Sequence, residues 1–302
     1  MKQQKLSLIT VMLMSINIMI GAGVLLAPGI MASVAGNASF IGWIIAALFY
    51  IPIVYGVSQL ATLMPGEGGI YRYARKVFGE KIGFFCGWLY YLSYILIATT
   101  VLSGLRTSLL ARYPHIAFFN SPALFLALCL ALITSLNMMR ISVIGSIQKY
   151  LTITKLLPII LAIVLIPFFI KWDFTISIPE IKSLFSPGGL TMAIFGFVGF
   201  EFACSLSHEI EGGAKKASLA VMGAFGTVLT IYILFHFGLL HIMGANNLAL
   251  YTAAGFAPFV GTKFPALSGF LTVLINLATT VCFMSGANGL ITLTTEIMQS
   301  LA

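Results

Sequence analysis

Eight apolar runs, each long enough to cross a lipid bilayer, dominate this chain. They fall at about 8–34, 40–64, 82–110, 121–138, 146–170, 188–209, 217–242 and 266–298. A helix needs about 20 mostly apolar residues to cross the hydrocarbon core. Lipid cannot satisfy an open backbone, so runs of this length fold as bundled helices. The 302 residues carry 16 basic and 8 acidic side chains, 8% charged in all, against roughly 25% in a soluble domain. So few charges cannot clothe a soluble globule. A soluble enzyme, a disordered chain and a nucleic-acid-binding domain are excluded.

The net charge of +8 sits in short clusters between the apolar runs, where basic residues act as topology signals. With the N-terminus in the cytoplasm, the inside segments hold Lys2, Lys5, Arg72, Arg75, Lys76, Lys81, Arg140, Lys149, Lys215 and Lys216. The outside segments hold Arg106, Arg112, Lys171, Lys182 and Lys263. Ten against five puts both termini inside. Lys2 and Lys5 precede the first run as they would in a signal peptide. That run outlasts a short h-region, however, and is read as an uncleaved first helix. One membrane domain is expected over 1–302, with no linker dividing it. Cys86, Cys129, Cys204 and Cys282 all lie in apolar runs without a CxxC or Cys/His neighbour. They are read as small buried apolar residues, with no disulfide framework, metal site or cofactor.

Two connections stand out. Pro65 to Lys81 is basic with interleaved aromatic residues, which predicts a turn and then an amphipathic helix on the inner surface. Asn246 to Pro265 is weakly polar and rich in Gly, Ala and Phe, which predicts a short helical cover over the outer mouth.

The first run contains Gly21-Ala22-Gly23 and then Pro28-Gly29. Glycine inside a helix costs roughly 0.5–1 kcal/mol relative to alanine. Unwound backbone at mid-membrane depth survives where it lines a cavity. Close helix packing through small residues is the other reading. The sixth run repeats the pattern as Phe195-Gly196-Phe197-Val198-Gly199-Phe200-Glu201. Interruptions in corresponding helices of two halves point to a binding site in an inverted-repeat transporter. Amides at one half-helix end attract a carboxylate and carbonyls at the other attract an ammonium, which suits a zwitterion.

These segments resemble the amino acid–polyamine–organocation superfamily of permeases. The resemblance rests on Ile20 to Val24 with Pro28-Gly29 in helix 1 and Met64 to Tyr71 after helix 2. It extends to Phe84 to Tyr94 in helix 3, Ile147-Gln148 to Leu156 in helix 5 and Phe195 to Glu201 in helix 6. It implies an all-α polytopic inverted-repeat transporter fold with broken helices 1 and 6 and alternating access. The first repeat would cover about 8–170 and a partial second repeat about 188–298. The second repeat normally continues beyond helix 8, so the chain reads as truncated there. Glu209 to Ala217 lacks a proline often seen after helix 6, and Glu296 stands where many relatives carry a basic residue.

Substrate is expected at Gly21, Ala22, Gly23, Tyr90, Phe195, Phe197 and Gly199. Phe195 would supply the aromatic ring that relatives place over it, with packing alone as the other reading. Lys155 lies in mid-span, where a lysine costs roughly 2.5–3.5 kcal/mol on insertion scales. The resemblance implies a protonatable cation in place of a bound sodium ion; a structural or snorkelling lysine is the alternative. Glu201 either carries a proton or braces the helix 6 break. Tyr90 and Tyr94 share a face, continued by Gly83 and Gly87, that would admit another helix. Asn17 is expected to bond a neighbouring helix, His236 and His241 to lie at an interface, and His208 with Glu209 and Glu211 to form a solvated loop.

The sequence thus reads as a secondary active permease of the inner or plasma membrane, and not an enzyme. It would carry amino acids or related amines by proton coupling or exchange. Few intramembrane acids favour neutral amino acids over polyamines. The partners are protons or a counter-substrate and the bilayer, not nucleic acid. A non-transporting fragment or sensor on a permease scaffold is the rival.

Overall fold

The first apolar run folds as two helices, α1 (Leu8–Met19) and α2 (Gly23–Ala35). They belong to a computed structural model that describes residues 5–21, 23–64, 66, 68–165, 175–186, 188–250 and 265–301. The next elements are α3 (Ile41–Leu63), α4 (Gly69–Phe78), α5 (Glu80–Arg112), α6 (Pro122–Asn137) and α7 (Ile141–Leu165). They are followed by α8 (Ile178–Ser183), α9 (Leu190–Gly196), α10 (Phe202–Ser205), α11 (Ala214–Met243), α12 (Ala245–Leu250) and α13 (Ser268–Leu301). Five stretches among the described residues are long and apolar enough to cross a membrane: Leu8–Ala38, α3, α5, Lys215–Met243 in α11, and α13. Apolar α6 is shorter, at 16 residues. The architecture is all-α and polytopic, as the runs of apolar residues dictate.

Ser7 starts α1 by accepting a hydrogen bond from the Thr10 amide at 3.2 Å, a standard N-cap. Every α1 residue from Met14 to Met19 is buried, because α7, α11 and α13 pack around it. A helix enclosed on all sides needs no polar face. The peripheral helices do the opposite. Phe84, Phe85, Leu89 and Leu96 of α5 are exposed, an arrangement suited to lipid. The main pairs are α5 with α13 and α3 with α11.

At the basic end of the bundle, α4 is the amphipathic helix expected within Pro65 to Lys81. Tyr71 and Tyr73 are buried, while Arg72, Arg75 and Lys76 are exposed. It packs on the glycine face of α5. A Cβ on Gly83 would lie 2.4 Å from the Arg75 Cα, and one on Gly87 would lie 2.6 Å from the Tyr71 ring. The segment expected to be a solvated loop is partly buried instead. The Leu6 amide donates to the Glu209 carbonyl at 2.7 Å, and the Glu211 amide to the Leu6 carbonyl at 2.9 Å. The N-terminal segment, bridged to Ile210 through Leu6, therefore covers Glu209, which is 8% exposed.

At the opposite end, Ser177 and Glu180 cap α8 reciprocally. Glu180 also accepts the Asn37 amide at 3.0 Å, tying the α2–α3 corner to α8. These donors, Ser177's amide foremost, hold the Glu180 carboxyl below the usual carboxylate range. Of the expected outer cover, α12 packs on α2 and Pro265–Leu267 forms a short 3-10 turn. Residues 251–264 of that cover lie outside the described residues.

Candidate functional site

α1 stops because Ile20 leaves the helical region, at φ −81° and ψ 66°. Its amide still reaches the Ile16 carbonyl at 2.8 Å, but the later carbonyls of α1 lose their next-turn donors. Side chains replace them. The Lys155 ammonium donates to the Asn17 carbonyl at 2.7 Å, and the Tyr232 hydroxyl to the Met19 carbonyl at 2.5 Å. α9 ends the same way. The Tyr50 hydroxyl donates to the Ile194 carbonyl at 3.2 Å, and Tyr232 reaches the Gly196 carbonyl at 2.9 Å. Between α9 and α10 the chain makes successive i to i+3 turns through Phe197, Val198, Phe200 and Phe202. Gly199 takes φ +100° there, and a Cβ on it would lie 2.3 Å from Cγ2 of Ile18. Only glycine fits this approach of the two interrupted segments.

Both interruptions border one cavity. Its walls are Ile18, Met19, Gly21 and Gly23, then Phe195, Gly196 and Val198, with Ile97 and Val101 of α5 and Leu290 of α13. The space is about 20 Å³, room for a single water. An amino acid enters only when these walls part. Among the described residues no charged side chain borders the cavity, so its polar chemistry there is backbone amide and carbonyl.

Of the residues expected at the substrate, Gly21, Gly23 and Phe195 line this cavity. Ala22 lies outside the described residues. Gly21 also supports the packing reading, because a Cβ on Gly286 would lie 3.1 Å from its Cα. A Cβ on Gly23 meets nothing within 4 Å. Phe197 is fully buried away from the cavity walls, against Trp43, Phe225 and Tyr232. Gly199 shapes the turn. Tyr90 does not line the cavity; its hydroxyl donates to Oε1 of Glu201 at 2.8 Å. Tyr94 donates to the same oxygen. Glu201 thus ties the α9–α10 interruption to α5.

Lys155 is completely buried and makes no ion pair among the described residues. Its second acceptor is Oγ of Ser285 at 3.1 Å. Asn17 bonds the neighbouring helix as expected, its Nδ2 donating to the Ser285 carbonyl at 2.8 Å. One ammonium therefore joins α7, α1 and α13 beside the first interruption, where the carbonyl end of a helix favours a cation.

Several contributors are not evident in the sequence. Tyr232 offers one hydroxyl proton to two carbonyls, so one of them is always free for another donor. The residue sits in an ordinary apolar run without a distinguishing motif. His236, expected at an interface, is fully buried: Nδ1 accepts from Trp43 Nε1 at 2.9 Å, and Nε2 lies 3.1 Å from Oγ of Ser39. That assigns Nδ1 as the bare nitrogen. Gln148 donates to Thr292 at 2.8 Å, and Thr292 to Asn137 at 2.7 Å. These polar residues carried a usable signal: 148, 152 and 155 share one helix face, as do 285, 288 and 292.

Tyr232→Phe is expected to lower stability by about 1–3 kcal/mol, the cost of leaving a buried acceptor unsatisfied. Its melting temperature in neutral detergent checks this. An unchanged value would show that the bridge between the two interruptions contributes nothing.

The sequence profile described as "Amino acid permease" matches residues 6–302. A serine/threonine exchanger of Bacillus subtilis is 25% identical, covering 82% of this chain and 57% of its own length. A methylthioribose transporter of the same organism is 26% identical, covering 89% of this chain and 61% of its own. An arginine/agmatine antiporter of Chlamydia pneumoniae is 29% identical, covering 74% of this chain and 49% of its own. The chain thus matches about half to three-fifths of the length of these relatives.

Proposed function

The chain belongs to the amino acid permease family, and on that premise we propose that it binds and carries neutral amino acids across the membrane. The observation that carries the reading is the meeting of two helix interruptions at one cavity without charged walls. The first amides of α2 would take the substrate carboxylate. Whichever of the Met19 and Gly196 carbonyls Tyr232 leaves free would take the ammonium. The substrate side chain would then face Ile97, Val101, Phe195 and Leu290, walls that desolvate a cation without pairing it. Relatives named for arginine or lysine bear on transport chemistry and not on this side-chain preference.

In this reading the chain forms one membrane domain of eight spans. Residues about 8–170 form one inverted repeat and about 188–298 part of the second, with both termini cytoplasmic in the inner or plasma membrane. Lys155 couples transport to protons or an exchanged substrate, and Glu201 braces the second interruption. Thermal stabilisation of the purified chain by single amino acids tests the substrate class. Neutral apolar amino acids are expected to stabilise it and arginine, lysine and agmatine not to; a response confined to the cations would overturn the proposal. Uptake into vesicles separates transport from the sensor reading, which expects binding without uptake. For topology, single cysteines at Lys76 and Lys182 in a cysteine-free background are expected to label from opposite sides. Labelling of both by an impermeant reagent added outside would reject the orientation.

A further inference from the structure

We propose that the elbow between α4 and α5 binds the headgroup of an anionic phospholipid. Membrane depth at this point is set by α5, a spanning stretch that begins at Glu80. Ile82, Phe84 and Phe85 in its first turns are 53%, 52% and 60% exposed. A cluster of large apolar side chains on a spanning helix is stable against acyl chains rather than water. Glu80 and Lys81 therefore stand at headgroup level.

The chain turns into α5 at Gly79, with φ +84°. Just before the turn, Val77 and Phe78 are 63% and 62% exposed. Tyr71 and Tyr73, earlier in α4, are buried. Thus α4 continues the apolar edge of α5 along the membrane surface, the arrangement of an interfacial helix. Cations flank that edge. Residues 69–82 contain Arg72, Arg75, Lys76 and Lys81 against one acid, Glu80. Arg75 occupies that acid, with Nη2 to Oε1 at 2.5 Å. Lys76 and Lys81 have no acidic partner among the described residues. Two ammonium groups with no acidic partner among the described residues, beside an exposed apolar edge, complement a molecule that carries phosphate and acyl chains together. A soluble phosphate matches the lysines alone.

The test is native mass spectrometry of the purified full chain with equal phosphatidylglycerol and phosphatidylcholine. Retention is expected to favour phosphatidylglycerol. Lys76→Gln and Lys81→Gln should each weaken that preference about five-fold, as expected for a lysine at an anionic surface. The Lys76→Arg/Lys81→Arg variant should keep it, as should Lys182→Gln at the opposite end. Phe78→Ser should weaken retention of both lipids alike. Melting temperature in neutral detergent reports folding, and the arginine variant keeps the comparison decisive should a glutamine variant unfold. No preference in the wild-type chain, or an undiminished one in the Lys76→Gln/Lys81→Gln variant, would overturn the proposal. Equal competition by glycerol 3-phosphate would also overturn it and reassign the surface to a soluble phosphate. A lipid-independent dimer lost in the glutamine variant would assign it to a second copy instead.

Discussion

Lys155→Ala is expected to abolish pH-dependent amino acid uptake, and Lys155→Arg to abolish it too. The wild-type ammonium is buried and holds the Asn17 carbonyl at 2.7 Å and the Ser285 hydroxyl at 3.1 Å. Hydrogen bonds to a charged group contribute about 1.5–3 kcal/mol each. Losing both from one conformation changes its population enough to slow uptake by roughly a hundredfold. Coupling requires more than a brace, because a ligand shifts an equilibrium only through differential affinity for the two states. A proton coupled here must bind Lys155 differently in each. Arginine retains its proton throughout the physiological range, so it can brace the helices but cannot switch. Uptake against pH for wild type, Lys155→Ala and Lys155→Arg at matched expression decides between the roles. Wild-type pH dependence in the arginine variant would leave Lys155 as a structural tie between α7, α1 and α13.

The class of fold is legible because lipid imposes so few solutions. Runs two, three, seven and eight contain helices of spanning length and run one a broken stretch, Leu8–Ala38, that is long enough as a whole, and the inner amphipathic helix α4 follows from the alternation of tyrosines and cations. The site was partly legible. Gly21, Gly23 and Phe195 reach the cavity because broken helices expose backbone where glycine recurs. Tyr90 and Phe197 were harder. Residue spacing shows which side chains share a face, but not that the partner of Tyr90 is Glu201 across 111 residues of sequence. Phe197 follows Gly196 directly, yet the turn rotates its ring into the Trp43 cluster. His236 lies in the core rather than at an interface for a related reason. A histidine near a helix end suits an interface until a donor such as Trp43 and a partner such as Ser39 arrive from other helices. Tertiary partners of this kind leave no local periodicity.

Gly23→Leu is expected to weaken amino acid binding at least about a hundredfold while the chain inserts and folds normally. Three glycines near the interruptions separate the site from the scaffold. Gly199 holds φ +100°, and a Cβ there would lie 2.3 Å from Ile18, so Gly199→Ala should lower the melting temperature outright. Gly21 faces Gly286, where a Cβ would lie 3.1 Å from the Gly21 Cα, so a side chain on Gly286 would crowd this backbone approach. Gly23 differs from both: a Cβ on it meets nothing within 4 Å, and the residue borders the cavity. It begins α2, where leucine is a better helix former than glycine by most of 1 kcal/mol. The Cβ therefore meets no steric objection from the fold. The added isobutyl group instead projects beside the α2 amides proposed to take the carboxylate, in a cavity of about 20 Å³. A hundredfold loss corresponds to about 2.8 kcal/mol, within the reach of a blocked charge-assisted contact. Binding and melting should be read on the same sample. Unchanged affinity with an unchanged melting temperature would mean that Gly23 serves packing alone and that substrate binds elsewhere in the bundle.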